Sequence, residues 1–149
     1  MSNETNFNEI LKSNGLKITK HRTSVLKIIS RSDKPITAEE IYLNLKDDNI
    51  SINLSSIYKI LDSLCNKNII SKCVLGVDNK TSYEMTSSEH KHHLICKNCK
   101  GVFYIGNCPI CEYEKSLHEN MDFDVTEHRL EIYGYCKNCK MKRGCIKKI

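Results

Sequence analysis

The sequence predicts an α+β chain in two unequal halves, and three observations carry that prediction. Apolar residues recur at helical spacing through most of the first half, two alternating runs follow around a turn, and cysteine and histidine crowd into the remainder. Residues 1–88 hold two of the nine cysteines and one of the six histidines, whereas residues 89–149 hold seven and five. A chain of 149 residues buries one ordinary core or two small ones, so a second small domain needs a staple besides apolar burial. We place the first domain at 1–86, a hinge at 87–91 within the polar run TSSEHK, and the second domain at 92–149.

Phe7, Ile10 and Leu11 share one face of a first helix that Gly15 ends. Val25, Leu26, Ile28 and Ile29 form the stripe of a second, with Thr19 as its cap. ITAEEIYLNL, residues 36–45, starts a third: Thr37 caps it, Glu40 stands three residues on, and Ile41, Leu43 and Leu45 supply the core. In SINLSSIYKILDSLCNKN, the residues Ile57, Ile60, Leu61 and Leu64 make the buried stripe of the next helix, with Ser55 as cap and Cys65 in the core. IISKCVL and KTSYEMT then alternate on either side of GVDN, which reads as a β-hairpin.

Helices followed by a two-stranded wing give the order of a winged helix-turn-helix. In that fold the last helix enters the major groove of DNA by its N-terminal residues, while lysines and arginines outside it hold phosphates. Ser56, Tyr58 and Lys59 are thereby assigned to the groove, and Lys17, Lys20 and Arg22 to the backbone or minor groove. The competing reading is an ordinary solvated helix face. A formal net charge of +5 does not decide between them, because basic and acidic residues are interspersed.

No apolar run approaches the roughly 20 residues of a membrane span. The opening MSNETNFNEILK lacks the basic-then-apolar order of a secretory signal, so the expectation is a cytoplasmic chain with no membrane partner, whose cysteines are reduced. There, paired cysteines point to metal before disulfide. No motif such as His-Glu-x-x-His is present, which argues against a zinc enzyme.

Three Cys-x-x-Cys pairs occur, Cys96/Cys99, Cys108/Cys111 and Cys136/Cys139, and any two would complete a tetrahedral zinc site. HLIC and GVFYI read as strands around the first pair, CPICEYEKSLHENM as a helix beginning at Cys108, and FDVTEHRLEIYGYC as one long strand. The helix dipole favours thiolate at Cys108 and Cys111, making that pair reactive or metal-binding. The other two pairs lie at strand ends, where an ion clamps the sheet, so Cys96, Cys99, Cys136 and Cys139 form the favoured structural zinc site. Strand parity points His90 and His92 to one face and His93 to the other. His128 is read as a ligand, and His118 as exposed.

A winged helix followed by HKHHLICKNCKG and then HRLEIYGYCKNC resembles the ferric-uptake-regulator family of bacterial metal-dependent repressors over nearly the whole chain. The resemblance implies a C-terminal α/β dimerisation domain and a homodimer that grips a palindromic, AT-rich double-stranded DNA operator when metal is bound. It also implies structural zinc at the four cysteines named above. The family's regulatory metal site maps onto His90, His92, Cys111 and His128, with cysteine where the family carries glutamate and Cys108 as the alternative donor. A second family site, at the hinge, would include Glu84 and His93. Lys34, Pro35 and Lys91 stand in place of its usual partner histidines, with Cys73 as a substitute. Thiolate in place of carboxylate shifts preference from iron or manganese toward zinc, so the chain looks most similar to the zinc-uptake regulators. The rival is a peroxide- or dithiol-sensing repressor, because HRLEIYG also resembles the family's peroxide sensors and Cys-Pro-Ile-Cys a dithiol site.

Overall fold

Leu11, Val25, Leu26, Ile41, Leu45, Ile57, Leu61 and Leu64 are fully enclosed, so the stripes read along the sequence meet in one core. That core belongs to the first of two compact units, which divide between Thr86 and Ser87. The computed structural model describes residues 2–76, 78–87 and 91–142. No helix among them is long and apolar enough to cross a membrane.

In the first unit, α1 (Ser2–Ser13), α2 (Lys20–Arg31), α3 (Ala38–Asp47) and α4 (Leu54–Asn66) precede a hairpin of β1 (Ile70–Leu75) and β2 (Lys80–Met85). The hairpin is antiparallel in the register Ile70↔Met85 to Leu75↔Lys80, and Ile36 adds a bridge to the buried Tyr83. Thr19 accepts the Arg22 amide at 3.2 Å, and Thr37 and Glu40 form a complete capping box. Two expectations change. Asn53, not Ser55, caps α4: its side-chain oxygen takes the Ser56 amide at 2.8 Å, and Ser55, already inside the helix, donates to Asn53 instead. Leu43 is 56% exposed, because a residue two positions from both Ile41 and Leu45 falls on the opposite side of a helix.

Three helices stop in the same way. After α1, Leu16 N–H bonds Leu11 C=O at 2.9 Å and Gly15, at φ +73°, bonds Lys12 C=O. Asn49 and Asn68, both left-handed, play the glycine's part after α3 and α4, with Ile50 bonding Leu45 C=O and Ile69 bonding Leu64 C=O. Each is a Schellman motif, whose closing apolar pair adds to the core.

In the second unit, β3 (His92–Cys96) is the central strand of three, antiparallel to β4 (Val102–Ile105) and parallel to β5 (Glu131–Gly134). Helix α5 (Cys111–Met121) connects β4 to β5, and a short α6 (Lys137–Lys142) follows. The register sets Phe103, Leu94 and Ile132 in a row across the sheet, exposed at 47%, 37% and 45%.

Three elements differ here from the sequence reading. Helix α5 begins at Cys111, because the Cys108 thiol takes the amides of Ile110 and Cys111 and makes residues 108–110 a turn that leads into the helix. The long strand shrinks to four residues, since β5 has only the short β3 to pair with and the ladder ends at His93↔Glu131. Cys139 sits not at a strand end but on α6, where it is buried.

Candidate metal centres

The Sγ atoms of Cys96, Cys99, Cys136 and Cys139 all lie within 4.8 Å of one another. Cys96 ends β3, Cys99 follows in the turn toward β4, Cys136 lies two residues past β5, and Cys139 enters from α6. Cys99 and Cys136 sulfurs are 3.8 Å apart. A tetrahedron of four thiolates about 2.3 Å from a zinc ion has edges of about 3.8 Å, so the sulfurs fit one ion. N–H groups converge on them: Cys136 N on Cys96 at 3.4 Å, Gly101 N on Cys99 at 3.4 Å, and the Asn98 amide on Cys139 at 3.2 Å. A Cβ at Gly101 would stand 3.2 Å from the Cys99 sulfur, so glycine leaves that sulfur its space. The amide of Cys136, aided by that of Cys99, pushes the Cys96 thiol down to about 6. Cys99 goes up to about 11, because the pull of the Gly101 amide toward thiolate is outweighed by hydrogen bonding to Cys96 and by burial. Four thiols crowded together cannot all ionise without a cation among them.

A second group comprises His92, Cys108 and His128. The Cys108 sulfur lies 3.1 Å from Nε2 of His92 and 3.3 Å from Nε2 of His128, and the two Nε2 atoms are 3.1 Å apart. Donors of a tetrahedral zinc ion, at about 2.0–2.3 Å, stand about 3.3–3.6 Å from each other, so this triangle is a few tenths of an ångström from a zinc-bound one. Glu114, in the first turn of α5, holds Nδ1 of His128 through a short contact. That contact places the His128 proton on Nδ1 and leaves the Nε2 lone pair aimed at the cluster, the usual way a carboxylate orients a metal-binding imidazole. Burial disfavours the His128 imidazolium, but Glu114, followed by Cys108, raises its pKa on balance. For Cys108, burial favours the thiol, yet the Ile110 amide, the Cys111 thiol and the Cys111 amide together lower its pKa.

Cys108 therefore stands in the cluster while Cys111 stands beside it, hydrogen-bonded to Cys108 and with its own pKa raised by that bond. His90 lies outside the described residues. His93 is buried against the Tyr104 ring, centroids 5.3 Å apart, on the face away from His92. Glu84 and Cys73 belong to the hairpin of the first unit and His93 to the second. His118 is exposed and paired with Asp124 at 2.9 Å.

Of the residues assigned to DNA, Tyr58, Lys59, Lys17 and Lys20 are exposed, and Ser56 and Arg22 half-buried. Arg22 reaches back to Lys17 C=O at 2.8 Å. The Tyr58 hydroxyl donates to Glu39 of α3 at 3.0 Å, a contact the sequence does not announce because it joins residues on different helices. Glu114 and Asn98 were equally invisible. Glu114 lies three residues past Cys111 but meets a histidine fourteen positions on, and Asn98 reaches a sulfur forty-one positions away.

A helical unit ending in a hairpin, joined to a small sheet that carries one set of four sulfur donors and one of two nitrogens and a sulfur, defines a metalloregulator rather than an enzyme. The chain belongs to the Ferric uptake regulator family, which matches residues 13–133, and the members of that family are transcription regulators. It is 31% identical over 144 residues to the ferric uptake regulation protein of Campylobacter jejuni, covering 95% of this chain and 90% of the relative. It is 33% identical over 132 residues to the peroxide-responsive repressor PerR of Staphylococcus saprophyticus, covering 89% and 88%. The solved structure of the Helicobacter pylori ferric uptake regulator, described as having three functional metal binding sites, superimposes with a TM-score of 0.76 at 26% identity, over 93% of this chain and 92% of that one.

Proposed function

We propose that the protein is a zinc-responsive repressor, a homodimer that binds a palindromic, AT-rich DNA operator when zinc is sufficient and releases metal-uptake genes when it is not. The observation that carries this reading is the triangle of His92, Cys108 and His128, with Glu114 orienting His128. One zinc ion at Cys96, Cys99, Cys136 and Cys139 stabilises the second unit. A second, held by His92, Cys108 and His128 with His90 as fourth ligand on sequence grounds, is the signal. Two neutral imidazoles and a thiolate form a borderline-soft set that favours zinc over iron or manganese, whatever metal gives the relatives their names.

The first unit is read as a winged helix: α3 and α4 as its helix-turn-helix, Ser56, Tyr58 and Lys59 in the groove, Lys17, Lys20 and Arg22 on phosphates, and β1–β2 as the wing. Phe103, Leu94 and Ile132 are an apolar row suited to the second copy. Zinc shifts the balance between DNA-competent and incompetent arrangements only by binding the first more tightly.

The test is zinc titration of protein that holds only its four-sulfur metal, with binding measured to an operator selected from random duplexes. Affinity that does not change across the titration would sink the proposal. Iron(II) acting at lower free concentration than zinc would keep the metal response and overturn the choice of metal. Glu114→Gln should weaken the zinc response by about 10–100-fold and leave the four-sulfur ion in place.

A further inference from the structure

The thiol of Cys111 has no place among the three donors of the His92–Cys108–His128 cluster, yet it is hydrogen-bonded to the one donor sulfur there. The two cysteines are separated only by Pro109 and Ile110 in the turn that opens α5, and both are half-buried rather than sealed. Joining them needs no movement of one element past another. The four-sulfur cluster differs in this respect: every one of its cysteines is a donor, and none is spare. Cys65 and Cys73, in the first unit, are not near this cluster in the chain, and Cys73 already donates to Ser82 C=O.

We propose that Cys108 and Cys111 form a reversible disulfide that disables the three-donor metal centre, so that a hydroperoxide is a second input to the same regulator. The inference rests on the zinc reading above. In the first step the Cys108 thiolate attacks the outer peroxide oxygen; the S–O bond forms, the O–O bond breaks, and the alcohol leaves after taking a proton, giving Cys108 sulfenic acid. The Cys111 sulfur then attacks the sulfenic sulfur; the S–S bond forms, the S–O bond breaks, and water leaves. Two thiols are oxidised and one hydroperoxide is reduced to alcohol and water. A disulfide sulfur carries no charge and is a poor zinc ligand, so the centre loses its one anionic donor, keeps only imidazoles and releases its ion. A dithiol reductant restores the site.

The test uses the full chain loaded with zinc at both centres and treated with hydrogen peroxide in slight excess. Zinc release is followed with a chromogenic chelator, and disulfides are mapped by mass spectrometry of the peptides. The expected result is loss of one of two zinc ions in step with a Cys108–Cys111 disulfide, and recovery of that ion's binding after dithiothreitol. Cys111→Ser should bind both ions and release the second at least about tenfold more slowly, because its sulfenic acid has no resolving partner. A wild-type chain that keeps both ions, or loses one with disulfides only among Cys96, Cys99, Cys136 and Cys139, would overturn the inference and leave the zinc reading standing. Release from Cys111→Ser at the wild-type rate would overturn it too. A chain that never binds a second zinc ion would overturn both.

Discussion

In the first unit fifteen apolar side chains are buried in one cluster. In the second, the described residues bury one aliphatic side chain, Ile95, together with Cys96, Cys139, His92 and His93. Helix α2 sends three residues into its core and α4 another three, whereas α5 buries none. The contrast lies in how each half of the sequence spends its residues. Four helices with apolar stripes and left-handed stops enclose a core without help, but a sheet of five-, four- and four-residue strands cannot exclude enough water to offset the entropy of ordering its chain. Soft donors stand where the second core would be. The side chains grouped as candidate metal donors are therefore also those that fill the middle of the unit.

Metal removal is the harshest way to test that contrast. A structural zinc ion contributes roughly 10–16 kcal/mol to a small domain at neutral pH, so a strong chelator should abolish amide exchange protection in β3, β4 and β5 while α2, α3 and α4 keep theirs. Simultaneous loss of protection in both units would break the comparison. The complementary experiment removes apolar volume from the first unit. Leu61→Ala, at a fully enclosed position, should cost about 2–5 kcal/mol and lower the melting of the first unit with the bound-zinc count unchanged. A smaller effect sharpens the picture of the first unit as locally self-sufficient. Burial alone would raise the Glu40 pKa, but the Thr37 amide and the charge of Lys34, 3.4 Å away, bring it below its ordinary 4.5. A carboxyl lowered on folding stabilises above its unfolded pKa, and the gain is lost as pH falls through the folded value. Glu40→Gln should thus cost a few tenths of a kcal/mol at neutral pH, after allowance for solvent screening, and the difference from wild type in Tm should close as pH falls below 4.5 and through the lowered folded value.

What the sequence disclosed follows the range of the forces involved. Thr37 and Glu40 were legible because a capping box closes within four residues, and the buried stripes of α2 and α4 were legible because helical period is local. The cap of α4 was missed by two residues, since Asn53, Ser55 and Ser56 are all good caps and only the helix start chooses among them. The left-handed stops at Asn49 and Asn68 carried no glycine to announce them. The grouping of Cys96 and Cys99 with Cys136 and Cys139 was favoured not by spacing but by the elements read between the pairs, even though Cys139 stands on α6 and not at a strand end. Cys108 against Cys111 was not, because a shift of three residues in the start of α5 decides which thiol faces His92 and His128. The extent of β5 depended on how much of β3 was available as a partner, a property no stretch of β5 itself encodes.

The four-sulfur cluster joins Cys99 to Cys136, and both Cys108 and His128 lie on the stretch of chain between them. An ion held there closes a ring, and two of the three donors of the other centre are inside that ring. Until the ring is closed, Cys108 and His128 are separated partners on an open loop, and bringing them to His92 carries the full entropy of closing it. On the proposed two-ion reading, loading would be ordered, the outer ion first and tightest, with the inner centre gaining its affinity only afterward. If the inner centre senses zinc as proposed, a chain made while metal is scarce would fill its ring before its sensor, and sensing would begin only where the need of the fold has been met.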